Sequence, residues 1–138
     1  MKKKKNNKGF SLVELIVVIA IMAVLVGVLA PQFIGYVAKS RVSTDIQNAQ
    51  EIAQAIAVQI SDDEASGTTT AGFAIPTTSA LVSGISTVVG GTPEVKVHST
   101  YQFYYAIDAD ANVTITVSDG TTTVQLYPSV TSGSDWDK

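Results

Sequence analysis

From Leu15 to Ala30 every residue is apolar or glycine, and across the wider stretch from Phe10 to Ala38 the only charge is Glu14. As a helix the inner run measures roughly 24 Å, and with its flanks it matches a hydrocarbon core of about 30 Å, so a membrane-resident helix is expected. From Lys39 the pattern becomes one-sided: Val42, Ile46, Ala49, Ile52, Ala53, Ile56 and Ile60 recur at steps of three and four, the stripe of an amphipathic helix. No glycine or proline lies between Tyr36 and Ser66. One helix over residues 10–62 follows, with a hydrophobic half at 10–38 and an amphipathic half at 39–62. Its stripe is expected to cover a small sheet. Gly27 and Pro31 sit inside the apolar half. Proline lacks the backbone donor and crowds the preceding turn, so a kink or local unwinding is expected near Val28 to Pro31.

Beyond the helix lies a head over residues 63–138. Residues 63–94 carry turn signals at Pro76, Gly84, Gly90, Gly91 and Pro93, and Thr78–Val82 reads as a short helix capped by Thr77 or Thr78. Period-two, β-branched and aromatic runs then occupy Val95–Val97, Tyr101–Ile107, Val113–Val117 and Thr122–Tyr127. Asp119–Gly120 marks a hairpin between the last two runs, and Asp108–Asn112 marks the other turn. An antiparallel meander of three to four strands over 95–127 is the expectation. The tail, 128–138, reads as loosely held, with Trp136 docking it. The fold class is α+β, a long N-terminal helix packed by its C-terminal half against this meander.

Composition removes much chemistry. The 138 residues include no cysteine and one histidine, His98, which excludes disulfides, thiolate catalysis, a His-containing triad and a multi-His zinc site within one chain. Asp108-Ala109-Asp110-Ala111-Asn112 spaces side-chain oxygens as a calcium loop begins. However, Val113 stands where its glycine belongs and Asp119 where its glutamate does, so a solvated turn is the expectation. Asp62, Asp63 and Glu64 read as a charged helix end that opposes the macrodipole. No catalytic residue, metal site or cofactor is expected. Residues 1–9 hold five of the nine basic side chains and no acid, which leaves four basic against twelve acidic residues, a sum of −8, in 10–138. With no aromatic residue among the lysines, nucleic acid is not expected as a ligand.

The opening lysines, then Lys8-Gly9-Phe10-Ser11-Leu12-Val13-Glu14-Leu15 and an unbroken apolar run, closely resemble the class III signal peptide and N-terminal helix of type IV pilins and pseudopilins. The resemblance covers about residues 2–35. It implies that residues 1–9 are a leader, that a prepilin peptidase cuts between Gly9 and Phe10, and that the same enzyme class N-methylates Phe10. Glu14 then takes the place of the family's assembly glutamate, paired with a neighbour's N-terminus. Pro31, near Gly27, takes the place of the proline that interrupts the helix in filaments. The implied protein is a non-enzymatic homo-oligomer, a major pilin of an extracellular type IV pilus used for adhesion, motility or aggregation. Its precursor would lie in the cytoplasmic membrane with the head outside, meeting the peptidase and an inner-membrane assembly platform. The missing C-terminal Cys pair and short lysine-rich leader resemble Gram-positive members.

Physical reasoning agrees with these implied roles. A small Gly9 leaves its backbone open to a peptidase. A carboxylate inside an apolar helix is costly alone and is offset by pairing with an amine. An ordinary signal peptide fits less well, because the apolar run continues into a helix without a small-residue cleavage site. Two alternatives stay open: a pseudopilin of a type II secretion or DNA-uptake system, which shares the N-terminal signature, and a membrane-anchored binding or enzymatic head indifferent to Glu14.

Overall fold

The structure, a computed structural model, describes residues 9–66 and 79–137. The leader before Gly9 and most of the loop region 63–78 lie outside the described residues. Helix α1 runs Leu12–Ser66, two residues inside the expected start and four past the expected end. The remaining elements are β1 (Ala80–Leu81), a 3₁₀ turn (Val82–Ile85), β2 (Gln102–Ile107), β3 (Val113–Ser118) and β4 (Thr123–Tyr127). The chain divides into a unit that ends at Val37 and a second that begins at Ala38.

Within the second unit the helix stripe does what its period requires. Val42, Ala49, Ile52, Ala53 and Ile56 are buried, and Ile46 and Ile60 pack partly buried at the margin. They share one core with alternate residues of the strands: Phe103, Tyr105 and Ile107; Val113, Ile115 and Val117; Val124 and Leu126. Ala49 and Ala53 are buried on this face among the larger residues of the core, as the dense packing of protein interiors requires. The stripe covers the head's own sheet, as expected.

The sheet order is β1-β2-β3-β4, all antiparallel. Its three long strands match the runs read from the sequence to within a residue. The fourth does not come from Val95–Val97, because that stretch is not a strand. The backbone N–H groups of Lys96 and Val97 donate to Asp45 Oδ1 and Oδ2 at 2.7 and 3.0 Å, so a side chain from α1 takes the donors that a ladder would need. The fourth strand is β1, where Ala80 pairs with Tyr105 and Leu81 with Tyr104. A helix was expected over Thr78–Val82. Of that span Thr78 lies outside the described residues, while Ala80 and Leu81 satisfy their backbone on β2 instead of in a helical turn.

The tail is held more firmly than its composition suggests. Trp136 is 2% exposed and donates from Nε1 to Asp45 Oδ2 at 2.9 Å. Asp45, itself fully buried, thus joins helix, loop and tail through three donors. Around the indole stand His98 and Tyr101, with ring centroids 5.4 Å away, and His98 Nε2 lies 2.9 Å from Asp135 Oδ2. Along the outer edge of β4, the Gln125 N–H donates to Thr131 Oγ1 and the Thr131 N–H to the Gln125 carbonyl, both at 2.9 Å. The tail therefore covers an edge that would otherwise present open backbone groups.

Both predicted turns form, each around an aspartate. Asp119 Oδ1 accepts from the N–H groups of Thr121 and Thr122, and Gly120 supplies the positive φ of 91° that the turn requires. Asp108 Oδ1 accepts from the N–H groups of Asp110 and Asn112, and the Asn112 amide caps both its oxygens. Bonds from Asn112 to Asp108, and from the Thr122 and Thr121 N–H groups to Asp119, hold both carboxyls below the ordinary value of 3.8. Charged carboxylates support the fold, so this contribution is complete at neutral pH and is lost as pH falls through the depressed values. The melting temperature of the head is expected to begin falling as pH drops below about 4. The double variant D108N/D119N should show a shallower acid limb, as measured by near-ultraviolet circular dichroism melts between pH 6 and 2.5; an unchanged limb would count against the two turns.

Candidate processing and assembly site

The residues singled out near the N-terminus lie together at the start of α1. Gly9 and Phe10 precede the helix in irregular chain, and Phe10 is 90% exposed. Among the described residues, a side chain added at Gly9 would meet nothing within 4 Å. The small residue is therefore not required by the protein's own packing. What it leaves open is the backbone on either side of the Gly9–Phe10 bond.

Ser11 and Glu14 build the helix start. The Ser11 N–H donates to Glu14 Oε2 at 2.8 Å, and the Leu15 N–H donates to the Ser11 carbonyl. This is the reach-back half of a capping box, with a glutamate at the third helical position closing on the capping residue's own N–H. The Ser-x-x-Glu spacing in the sequence carries this second role for Glu14, beside the assembly role that the family resemblance implies. In a single chain the carboxylate is accommodated by the positive end of its own helix. Among the described residues Oε1 has no partner, so one oxygen remains available.

Farther along, α1 passes through Gly27 and Pro31 without a break in its helical assignment. The stretch from Val28 to Pro31, where a kink or local unwinding is expected, lies within this continuous helix. Gly27 stands four residues before Pro31, so the carbonyl that loses its helical donor belongs to glycine, the most adaptable backbone in the chain. A side chain at Gly27 would likewise meet nothing within 4 Å among the described residues.

The flank of this half is apolar on all sides and uncovered. Large hydrophobic residues from Phe10 to Tyr36 are exposed by between 44 and 90%, and the helix is long and apolar enough to cross a membrane by length and composition. A helix hydrophobic all round belongs in lipid or inside a bundle. The calcium reading of the 108–112 turn finds its first carboxylate already engaged by its own loop, as described above.

Residues 4–30 match the prokaryotic N-terminal methylation motif. The matched stretch contains Gly9, Phe10, Glu14 and Gly27 and stops one residue before Pro31. The likeness to curated relatives covers part of the chain. Over 64 residues the chain is 34% identical to a type IV major fimbrial protein FimA of Dichelobacter nodosus, covering 46% of this chain and 41% of that one. Over 68 residues it is 37% identical to prepilin peptidase-dependent protein A of Clostridium perfringens, covering 49% of each. The chain thus spans half or less of the length of these curated relatives. No solved structure matches the chain. Its α+β architecture, a long N-terminal helix against a four-stranded antiparallel sheet, agrees with the pilin fold expected from the sequence.

Proposed function

We propose that this chain is the precursor of a structural subunit of a type IV pilus, and not an enzyme. The observation that carries the reading is the conjunction of the methylation motif at 4–30 with an apolar helix exposed on every side. Such a surface needs lipid first and partner helices afterwards. Relatives named as a type IV major fimbrial protein and a prepilin peptidase-dependent protein support the same course.

In this reading the leader lysines hold the N-terminus in the cytoplasm while the head lies outside. Peptidase cuts at Gly9–Phe10, the new Phe10 amine is methylated, and the assembly platform draws the subunit from the membrane into a homo-oligomeric filament. Glu14 keeps its Ser11 bond through Oε2 and offers Oε1 to the Phe10 amine of a neighbour. Once the apolar helices are bundled, donors on neighbouring subunits reach the Gly27 carbonyl, and the helix can open between Gly27 and Pro31. The major-pilin role is favoured over a secretion pseudopilin because the Asp108 loop spends its carboxylate internally instead of presenting a calcium site.

Gly9→Leu tests the processing step. It is expected to leave a membrane-held chain that still carries its leader, with surface filaments reduced at least tenfold in sheared fractions, since the side chain obstructs the approach to the scissile backbone. Normal processing of this variant would remove Gly9 from the site.

A further inference from the structure

We infer that Lys39 and Arg41 form a docking site for the phosphate groups of anionic phospholipid on the outer face of the membrane, holding the unassembled subunit at a fixed depth. The inference rests on the reading of residues 10–38 as the membrane half. The uncharged run from Leu15 to Ala38 has 24 residues, about 36 Å as a helix, between a hydrocarbon core of about 30 Å and a full bilayer of about 40–45 Å. With Glu14 at one headgroup layer, Lys39 arrives at the other. Both basic side chains are exposed. The ion pairs among the described residues, Lys96 with Glu94 and His98 with Asp135, involve neither of them. Val42, immediately beyond, is buried in the head core.

Charge argues for the same occupant. Residues 42–137 hold eleven acids against one base, Lys96. Such a head is repelled by an anionic leaflet, and the only basic residues between it and the apolar run are Lys39 and Arg41. Their long stems can lie along the helix while their charged ends reach phosphate. Arg41 offers a bidentate fork for phosphate oxygens and Lys39 a mobile point charge.

The absence of cysteine permits a direct test on the full chain reconstituted in vesicles of phosphatidylglycerol or of phosphatidylcholine. Nitroxide labels at Ser43→Cys and, separately, Val24→Cys report depth through collisions with oxygen and with a water-soluble nickel chelate. In phosphatidylglycerol the label at position 43 should sit at the headgroup layer, and K39Q/R41Q should raise it by about one helical turn, roughly 5 Å, towards water. The same substitution in phosphatidylcholine should move it little. Equal depth with and without the two charges in phosphatidylglycerol overturns the lipid site. Unchanged depth together with lost surface filaments also overturns it, and assigns the pair to a neighbouring subunit. A water-exposed label at position 24 overturns the membrane reading itself, a result distinct from failure at Lys39 and Arg41.

Discussion

Replacing Glu14 by alanine is expected to reduce surface filaments by at least tenfold while the head melts at the same temperature as before. Glu14 lies in the first turn of α1, where the large apolar residues from Phe10 to Tyr36 are exposed, and it is not among the residues that build the head core. The substitution removes a capping bond to the Ser11 N–H, worth about 1 kcal/mol to the helix start. The larger loss arises on assembly, because the Phe10 amine of the neighbour would enter an apolar bundle without its counter-charge. Removing one partner of such a buried pair costs roughly 3–5 kcal/mol, a factor of more than a hundred in an equilibrium constant. Glu14→Gln separates the two roles. It keeps an acceptor for Ser11 but loses the charge, so it should also assemble poorly. Filaments at the normal level from Glu14→Gln would show that capping, and not ion pairing, is what this residue supplies.

The second large effect is expected in the head. Asp45→Ala should lower stability by roughly 3–5 kcal/mol, since it strands the backbone donors of Lys96 and Val97 and the indole donor of Trp136 in a buried place. For a domain of this size that corresponds to a fall in melting temperature of roughly 15–30 °C. Asp45→Asn keeps one acceptor oxygen but turns an amide donor towards another donor, and should fall between the two. Trp136→Phe removes a single donor and leaves the ring volume, so its cost should be smaller, about 1–2 kcal/mol. Thermal melts of the detergent-solubilised chain, followed through near-ultraviolet dichroism, measure all three. A change of less than about 1 kcal/mol in Asp45→Ala would mean that the tail is held by its apolar contacts alone.

What the sequence made legible, and what it concealed, divides along the range of the interactions. The stripe from Val42 to Ile60 and the three long strands were readable because period 3.6 and period 2 are local properties. Asp45 was missed although it stands on that stripe, three residues after Val42 and four before Ala49, where a lone acid among buried positions signals a buried partner. Its partners lie 51 to 91 residues away, and no local pattern names them. The same contact explains why β-branched Val95 and Val97 do not make a strand, since the intervening donors were already taken. Ala80 and Leu81 looked helical by propensity, and pairing with β2 overrode it.

At the N-terminus the candidate site was almost wholly legible, because a short motif and an uninterrupted apolar run carry it. The capping role of Glu14 was legible too and went unread, its Ser-x-x-Glu spacing lying inside a more conspicuous signature. The opening of the helix between Gly27 and Pro31 is a different matter. One chain keeps the helix continuous through Gly27 and Pro31, and the proposed opening depends on donors that neighbouring subunits would bring to the Gly27 carbonyl.

The most direct test of the account is the intact mass of the protein sheared as filaments from the surface of cells that express it. The account requires the chain to be present in that fraction, to begin at Phe10, to retain 129 of its 138 residues, and to carry one added methyl group at its N-terminus. A chain that still begins at Met1, or one that stays in the membrane and never enters the filament fraction, would contradict it.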